Sequence, residues 1–310
     1  MPARAQCRCP FRAQLDMVIT IASGKGGTGK TTVASNLAYV LAQTQKDTET
    51  WLIDCDVEAP NAALFLDPVY DSEQKVERLL PVIDQEACTA CGVCVEICTY
   101  NALAVAGGKT LFFKELCHAC GSCVRNCPEG AISERPEEIG KLQKGMSGDL
   151  HFAHGALTIG FSSPPPVIRD LKKWVLDPSA ETTTYILDAS PGTSCPVVET
   201  MRGSDFALLV TEPTPFGLHD LKLVAELNEK EFQLPSGIVI NKSGRNDAII
   251  ESFAAQKGIP ILMRIPLSRE IAESYSAGKL LVETQPQYTQ KFTNVIAQIR
   301  SLIQTKGAIQ

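Results

Sequence analysis

The chain has 310 residues, of which 44% are hydrophobic and 21% charged, and its formal net charge is -6. That length suits one large α/β domain plus a small module, and the composition is ordinary for a globular protein with a sizeable core. The acidic balance gives no support for a nucleic-acid partner, and no apolar run approaches the length of a membrane span.

Twelve cysteines would suggest disulfides in a secreted chain. The N-terminus, however, lacks an apolar core followed by a small-residue cleavage site, so a cytoplasmic, reducing location is expected. Residues 1–16, which include Cys7 and Cys9, read as a disordered extension or as sequence upstream of a start at Met17. Residues 17–22 are apolar and read as the first strand. Next comes Ser23-Gly24-Lys25-Gly26-Gly27-Thr28-Gly29-Lys30-Thr31-Thr32, followed by a helix-like run over 33–42. Strand, glycine-rich turn and helix start together make a phosphate cradle. Gly24, Gly26, Gly27 and Gly29 let backbone N–H groups approach an anion, with Thr28 and Thr32 completing the loop. Lys30 is placed to reach the terminal phosphates, and the Thr31 hydroxyl to bind Mg²⁺. Lys25 is a second lysine inside the loop.

With both lysines, the loop resembles the deviant Walker A motif of the MinD/ParA/Mrp/nitrogenase-iron-protein superfamily. That resemblance implies an ATPase competent only as a homodimer formed on ATP binding, in which Lys25 crosses to the partner's phosphates. Residues 51–53 read as a short buried strand ending in Asp54-Cys55-Asp56. Carboxylates at the carboxyl end of a parallel strand point at the ligand crevice. By the same resemblance this is switch I, where Asp56 polarises the attacking water and Asp54 sits near Mg²⁺. Cys55 alternates away from both and is expected to be packed and inert.

From residue 84 to 133 the composition changes to cysteines, small residues and an internal repeat. Cys88, Cys91, Cys94 and Cys98 are echoed by Cys117, Cys120, Cys123 and Cys127. Each copy has the bacterial ferredoxin spacing, in which three close thiolates hold one cubane and the fourth is directed to the other. Cys88, Cys91, Cys94 and Cys127 are therefore expected to hold one [4Fe–4S] cluster, and Cys98, Cys117, Cys120 and Cys123 the second. A zinc site would use pairs of cysteines and leave thiolates unexplained. His118 reads as a surface residue rather than a ligand.

A strand is then predicted over 156–161, and Ser162-Ser163-Pro164 turns the chain into a helix reaching about residue 176. Residues 184–187 form another buried strand, ending at Asp188. Asp188 and Gly192 together resemble Walker B/switch II, which implies that Asp188 orients Mg²⁺ and the Gly192 N–H senses the γ-phosphate. Cys195 lies just beyond, where the nitrogenase iron protein places a ligand of a cluster shared between subunits. That protein needs a second cysteine per subunit, and residues 140–189 contain none. The same four-thiolate bridge cannot be built; a two-thiolate site across a dimer axis is one reading of Cys195, and a buried, inert cysteine at a helix start is the expected one.

Strand-like runs at 206–211, 237–240, 261–265 and, more weakly, 280–282 alternate with helical patterns near 217–229, 246–257 and 268–277. Asn241 matches the superfamily's adenine-reading asparagine. The last helix carries Phe292, Val295, Ile296, Ile299, Leu302 and Ile303 on one face, and packing on its own domain explains that stripe better than membrane contact.

The expected fold is α/β: a mostly parallel P-loop NTPase sheet with helices on both faces, interrupted by a small ferredoxin-like α+β insertion. The ATPase is assigned 17–83 and 134–310, and the insertion 84–133. The insertion is expected to join shortly after switch I and to move with it. The expected function is a dimeric ATP-hydrolysing switch requiring ATP, Mg²⁺ and two [4Fe–4S] clusters. It would couple nucleotide state to electron transfer or metallocluster assembly with a partner protein. The alternatives are a MinD-like positioning ATPase with structural or sensing clusters and a reductase of nitrogenase-iron-protein type.

Overall fold

A computed structural model describes residues 17–177, 179 and 182–307. Cys7, Cys9 and the expected disordered extension lie outside the described residues. Strand β1 (Met17–Ala22) runs through the glycine loop into α1 (Lys30–Thr44). Then follow β2 (Glu49–Asp54), the single turn α2 (Ala63–Leu66) and a strand of 15 residues, β3 (Val69–Ile83). The cysteine-rich module holds α3 (Val93–Glu96), the hairpin β4 (Leu103–Ala106) and β5 (Lys109–Phe112), and α4 (Ser122–Arg125). The chain returns along β6 (Ile132–Ser147) and β7 (Leu150–Leu157), then α5 (Pro164–Val175) and β8 (Thr183–Asp188). It continues through α6 (Cys195–Met201), β9 (Phe206–Thr211), α7 (Pro215–Leu227), β10 (Ser236–Ser243) and α8 (Ala248–Lys257). It closes with β11 (Ile261–Pro266), α9 (Arg269–Ser276), α10 (Leu281–Thr284) and α11 (Gln287–Gly307).

The large sheet has the order β11-β10-β9-β1-β8-β2-β7-β6-β3. Its pairings are parallel from β11 to β7 and antiparallel only for β7-β6 and β6-β3. Apolar runs buried on both faces explain why the parallel part reads as continuous hydrophobic sequence. In β9, Phe206, Leu208 and Val210 face a core built with α1 and α11, while Ala207 and Leu209 face α7 and α8. Behind β2 and β8, Ile53, Tyr185 and Leu187 pack with Val167, Ile168 and Leu171 of α5. In α11, Phe292, Val295, Ile296 and Ile299 are buried in the first of these cores, with Leu302 and Ile303 packed partly against it. Among the described residues no helix is long and apolar enough to cross a membrane.

Two predicted strands are displaced. The run at 156–161 is not a strand: β7 ends at Leu157, whose N–H bonds to Val57 O at 2.7 Å, and Gly160 turns the chain out of the sheet at φ 94. Residues 280–282 enter the short helix α10, which the Asn36 side chain of α1 receives by accepting from Val282 N at 2.9 Å. The local apolar run gave no sign of this packing.

The cysteine-rich module joins the sheet through two long strands, β3 and β6. β6 pairs with β7 from Ser147↔Leu150 up to Gly140↔Leu157, but with β3 it continues to Ile132↔Ile83. Residues 132–139 and their β3 partners therefore run past the end of β7 as a two-stranded arm about 25 Å long. Leu157 is the carboxyl end of β7, and β7 is parallel to β2 with Asp54 opposite His154. The arm thus leaves the sheet at the edge where Asp54 and Asp188 end, and carries the cysteine module at its tip.

Candidate nucleotide site and thiol clusters

The loop after β1 is held by close backbone approach. A Cβ on Gly24 would stand 2.2 Å from Asp220 O of α7, so this position has no room for a side chain. Gly29 has φ 92, and a Cβ there would meet the Asn241 amide at 2.2 Å, whereas a Cβ on Gly26 or Gly27 meets nothing within 4 Å. The loop is thus packed tightly on one side and open at Gly26 and Gly27. Thr28 Oγ1 is buried without a hydrogen-bond partner among the described residues.

Lys30 opens α1 and is 7% exposed. Burial draws its ammonium below the usual lysine range, against the opposing pull of Asp188, Asp56 and Asp54 in that order. Asp54 is fully buried and accepts from the N–H groups of Asp56, Asn61 and Ala62 at 3.0, 2.9 and 3.0 Å. Even so, burial raises its carboxyl to about 6. Asp188 pairs with Asp54 in the β2–β8 register, and burial, then Asp54, raise it to about 8 although Thr31 hydrogen-bonds to it. Asp188 Oδ1 and Asn61 Oδ1 have no partner among the described residues. Two adjacent buried carboxyls with an unused oxygen, beside the Thr31 hydroxyl, form the hard-oxygen donor set that Mg²⁺ takes. The residues present therefore fit a nucleotide with Mg²⁺. Asp56 is less buried, and burial also raises its carboxyl, against Lys30 and the Ser190 hydroxyl. Gly192, at φ 99, donates from N to Ser23 O at 2.9 Å, tying the segment after β8 to the loop.

Besides Gly192, whose N–H is taken up by Ser23 O rather than free for a γ-phosphate, two further predicted site residues are engaged within the chain. Lys25 is ion-paired with Glu212, at the end of β9. The second oxygen of Glu212 meets Lys242 Nζ at 3.0 Å, and that ammonium also donates to Gly27 O at 3.1 Å. Burial would raise the Glu212 carboxyl, but the two lysines hold it below the usual range. Asn241 donates from Nδ2 to Thr28 O at 2.8 Å and accepts from Lys242 N at 2.9 Å, so here its amide braces the loop. Sequence reasoning missed Glu212 and Lys242, although Glu212 follows an apolar strand just as Asp54 and Asp188 do.

Cys55 is packed, as expected, and burial pushes its thiol up to about 12. Cys195 departs from expectation: it is exposed. It begins α6 after Ser194, beyond the carboxyl end of β8, where no layer covers the helix start.

The eight module cysteines gather in two sets. One hollow is lined by Cys88, Cys91, Cys94 and Cys127 together with Thr89, Thr110 and Glu129. The other is lined by Cys98, Cys117, Cys120 and Cys123 together with Tyr100, His118 and Glu134. Each hollow is lined by three cysteines from one copy of the repeat and one from the other. Among the described residues no three His, Cys, Asp or Glu side chains converge as a single ion requires. Four thiols line each hollow, the number of thiolates that a [4Fe–4S] cubane takes. The repeat is also a backbone repeat: Ala90 and Ala119 both have φ 52, and Gly92 and Gly121 have φ 83 and 69. Non-glycine residues in the left-handed region are strained, and here they aim the loop toward the thiols. His118 is exposed, as expected, and stacks on Tyr100 at a centroid distance of 3.7 Å.

The module also touches the sheet body. Ser162 donates from Oγ to Glu115 O, Lys114 Nζ stands 5.3 Å from the Phe161 ring centroid, and Thr158 N bonds to Ile139 O at 2.9 Å. Residues 158–162 follow Leu157, whose N–H holds Val57, the residue after Asp56.

Comparison with known proteins agrees with the geometry of the nucleotide loop. An uncharacterised protein of Methanocaldococcus jannaschii is 31% identical over 263 residues, spanning 85% of this chain and 90% of that protein. An iron-sulfur cluster carrier protein of Pseudomonas fragi is 36% identical over 64 residues, only 21% of this chain and 22% of the carrier. Among solved structures, the septum site-determining protein MinD of Pyrococcus horikoshii, complexed with Mg-ADP, superposes with a TM-score of 0.55 at 21% identity. The match covers 91% of this chain and 94% of that one, and shows a shared fold. Residues 19–282 match the CobQ/CobB/MinD/ParA nucleotide binding domain, and the chain belongs to that family.

Proposed function

We propose that the protein is a dimeric, MgATP-dependent switch that carries two [4Fe–4S] clusters and links nucleotide state to electron transfer or cluster assembly with a partner protein. The observation that carries this reading is the placement of the two thiol sets. They sit at the tip of an arm rising from the same sheet edge as the nucleotide loop.

At the nucleotide, the loop N–H groups and Lys30 bind the phosphates, while Thr31, Asp54 and Asp188 hold Mg²⁺. Asp56 accepts a hydrogen bond from the attacking water. Lys25 of a second copy neutralises charge developing on the phosphates. The clusters, when bound, supply one-electron carriage; the thiols of the module fix their position and shield them. The partial likeness to an iron-sulfur cluster carrier protein supports the assembly arm of this reading. A positioning role gives no reason for eight thiols in two crossed sets.

Anaerobic purification followed by iron and sulfide analysis, with EPR spectra taken with and without MgATP, tests the proposal. Eight irons per chain and a reduced-state signal that changes with MgATP are expected. An ATPase that is active without iron would overturn it.

A further inference from the structure

The two thiol sets are related by the internal repeat, so residues at equivalent positions can be compared directly. Three such pairs differ in character. Thr89 beside the first set corresponds to His118 beside the second, and Glu129 corresponds to Tyr100. Glu96, at the end of α3, corresponds to Arg125 at the end of α4. Outside the equivalent positions, the Thr110 hydroxyl lies beside Cys88 and the Ser122 hydroxyl beside Cys120.

The fixed charges divide accordingly. Arg125 donates to Cys120 O at 2.7 Å, which puts a permanent cation against the Cys98/Cys117/Cys120/Cys123 set. Glu134, the carboxylate lining that hollow, lies beside the same guanidinium. Both groups come within 3.1 to 3.4 Å of where a Cβ on Gly121 would stand. On the other side Glu129 lines the hollow and Glu96 takes the place of the arginine.

Sulfur hydrogen bonds point the same way. Ala102 N and Ala119 N donate to the Cys98 and Cys117 sulfurs at 3.3 and 3.4 Å, while Cys120 Sγ donates to the Ser122 hydroxyl at 3.4 Å. At the Cys88 set the Thr110 hydroxyl lies 3.3 Å from Cys88 Sγ. Donors and cations near the sulfurs favour the reduced, more negative cluster, and carboxylates disfavour it.

Resting on the two-cluster reading above, we propose that the sites are unequal. The Cys98/Cys117/Cys120/Cys123 site is the higher-potential resting place of the electron, and the Cys88/Cys91/Cys94/Cys127 site is the lower-potential relay. In the step implied, a low-potential one-electron donor reduces the relay cluster from the 2+ to the 1+ state. That electron then passes to the resting site, returning the relay to 2+, with no proton required. The resting site is also the one nearer the ATPase body: Glu115, two residues before Cys117, is the residue that Ser162 bonds. The electron would therefore wait beside the segment that leads back to Val57 and the nucleotide loop.

An EPR-monitored redox titration of the anaerobically purified full chain tests this, with iron and sulfide measured on each sample. Wild type is expected to show two one-electron waves with at least a tenfold preference for one site, which is about 59 mV for a one-electron couple. Arg125→Glu should lower the upper wave by about tenfold and leave the lower one in place. Glu96→Arg should raise the lower wave and narrow the gap. Should Arg125→Glu fail to load eight irons, Arg125→Gln removes the charge more gently and is expected to lower the upper wave in the same direction. A single wave containing both clusters in wild type would overturn the inference while leaving the two-cluster reading intact, as would arginine variants that move only the lower wave. Absence of iron from wild type would overturn both.

Discussion

Lys25 and Glu212 form an ion pair within one chain, and Glu212 uses its other oxygen to hold Lys242 at 3.0 Å. A lysine engaged in this way must break its pair before it can reach a second subunit. Under the proposed trans role of Lys25, Glu212 would restrain dimerisation. Glu212→Gln should strengthen dimerisation in MgATP. The pair is partly buried, so a contribution of about 1 kcal/mol, roughly a fivefold shift in the dimerisation constant, is expected. Sedimentation velocity across a protein concentration series measures it. An unchanged constant would show that the pair does not hold Lys25 back.

The two loop lysines should separate cleanly. Lys30 is buried against three carboxylates at the start of α1, whereas Lys25 is about a third exposed and turned toward Glu212. Lys30→Ala should weaken nucleotide binding by at least an order of magnitude, since it removes the charged contact to the phosphates. Lys25→Ala should bind nucleotide with an affinity within a few-fold of wild type, yet fail to dimerise or hydrolyse it. Titration with a fluorescent ATP analogue, paired with a phosphate-release assay, distinguishes the two outcomes. Equal loss of nucleotide binding in both variants would remove the trans role assigned to Lys25.

Asp188 carries a cost in the nucleotide-free protein. Its folded carboxyl value, about 8, lies above its ordinary value because of burial and then Asp54. The folded state therefore holds its proton more tightly than the unfolded chain does. This penalty is absent at low pH, grows as the pH rises through the ordinary carboxylate value near 4, and levels off above about 8. Asp188→Asn should raise the stability of the nucleotide-free protein at neutral pH by on the order of 2 kcal/mol, with no gain near pH 4. The same variant should lose Mg²⁺-dependent hydrolysis. Thermal melts at several pH values, in EDTA and without nucleotide, check the sign. A variant less stable than wild type at pH 7 would contradict it.

The sequence was most legible where the chemistry is local. Ser23 to Thr32, Asp54 and Asp188 follow apolar strands, and strand order in a parallel sheet brings their carboxyl ends together. The eight cysteines could be sorted into crossed sets because their spacing is itself the geometry of the site. The arm was invisible for the opposite reason. β3 and β6 are rich in glutamate, lysine and arginine, since much of their surface faces solvent, so they lack the alternation that marks a half-buried strand. Cys195 was misjudged because burial depends on which layer covers a helix start, and no local pattern encodes that. The engagement of Lys25 by Glu212 joins residues 187 positions apart and shows only in the folded chain.

The route from the nucleotide to the thiols can be tested at its narrowest point. Val57 follows Asp56 and accepts from Leu157 N, and Ser162 and Phe161 just beyond touch Glu115 and Lys114 of the module. Apart from the β3–β6 arm, this short segment links Asp54 and Asp56 to the thiol sets among the described residues. The contacts are few and peripheral, so their loss should cost only about 1 kcal/mol of stability. The double variant Ser162→Ala, Lys114→Ala should accordingly fold, bind nucleotide and load eight irons per chain. What it should lose is the difference between EPR spectra of the reduced protein taken with and without MgATP. A nucleotide-sensitive signal that persists at full size in the double variant would place the coupling in the arm instead.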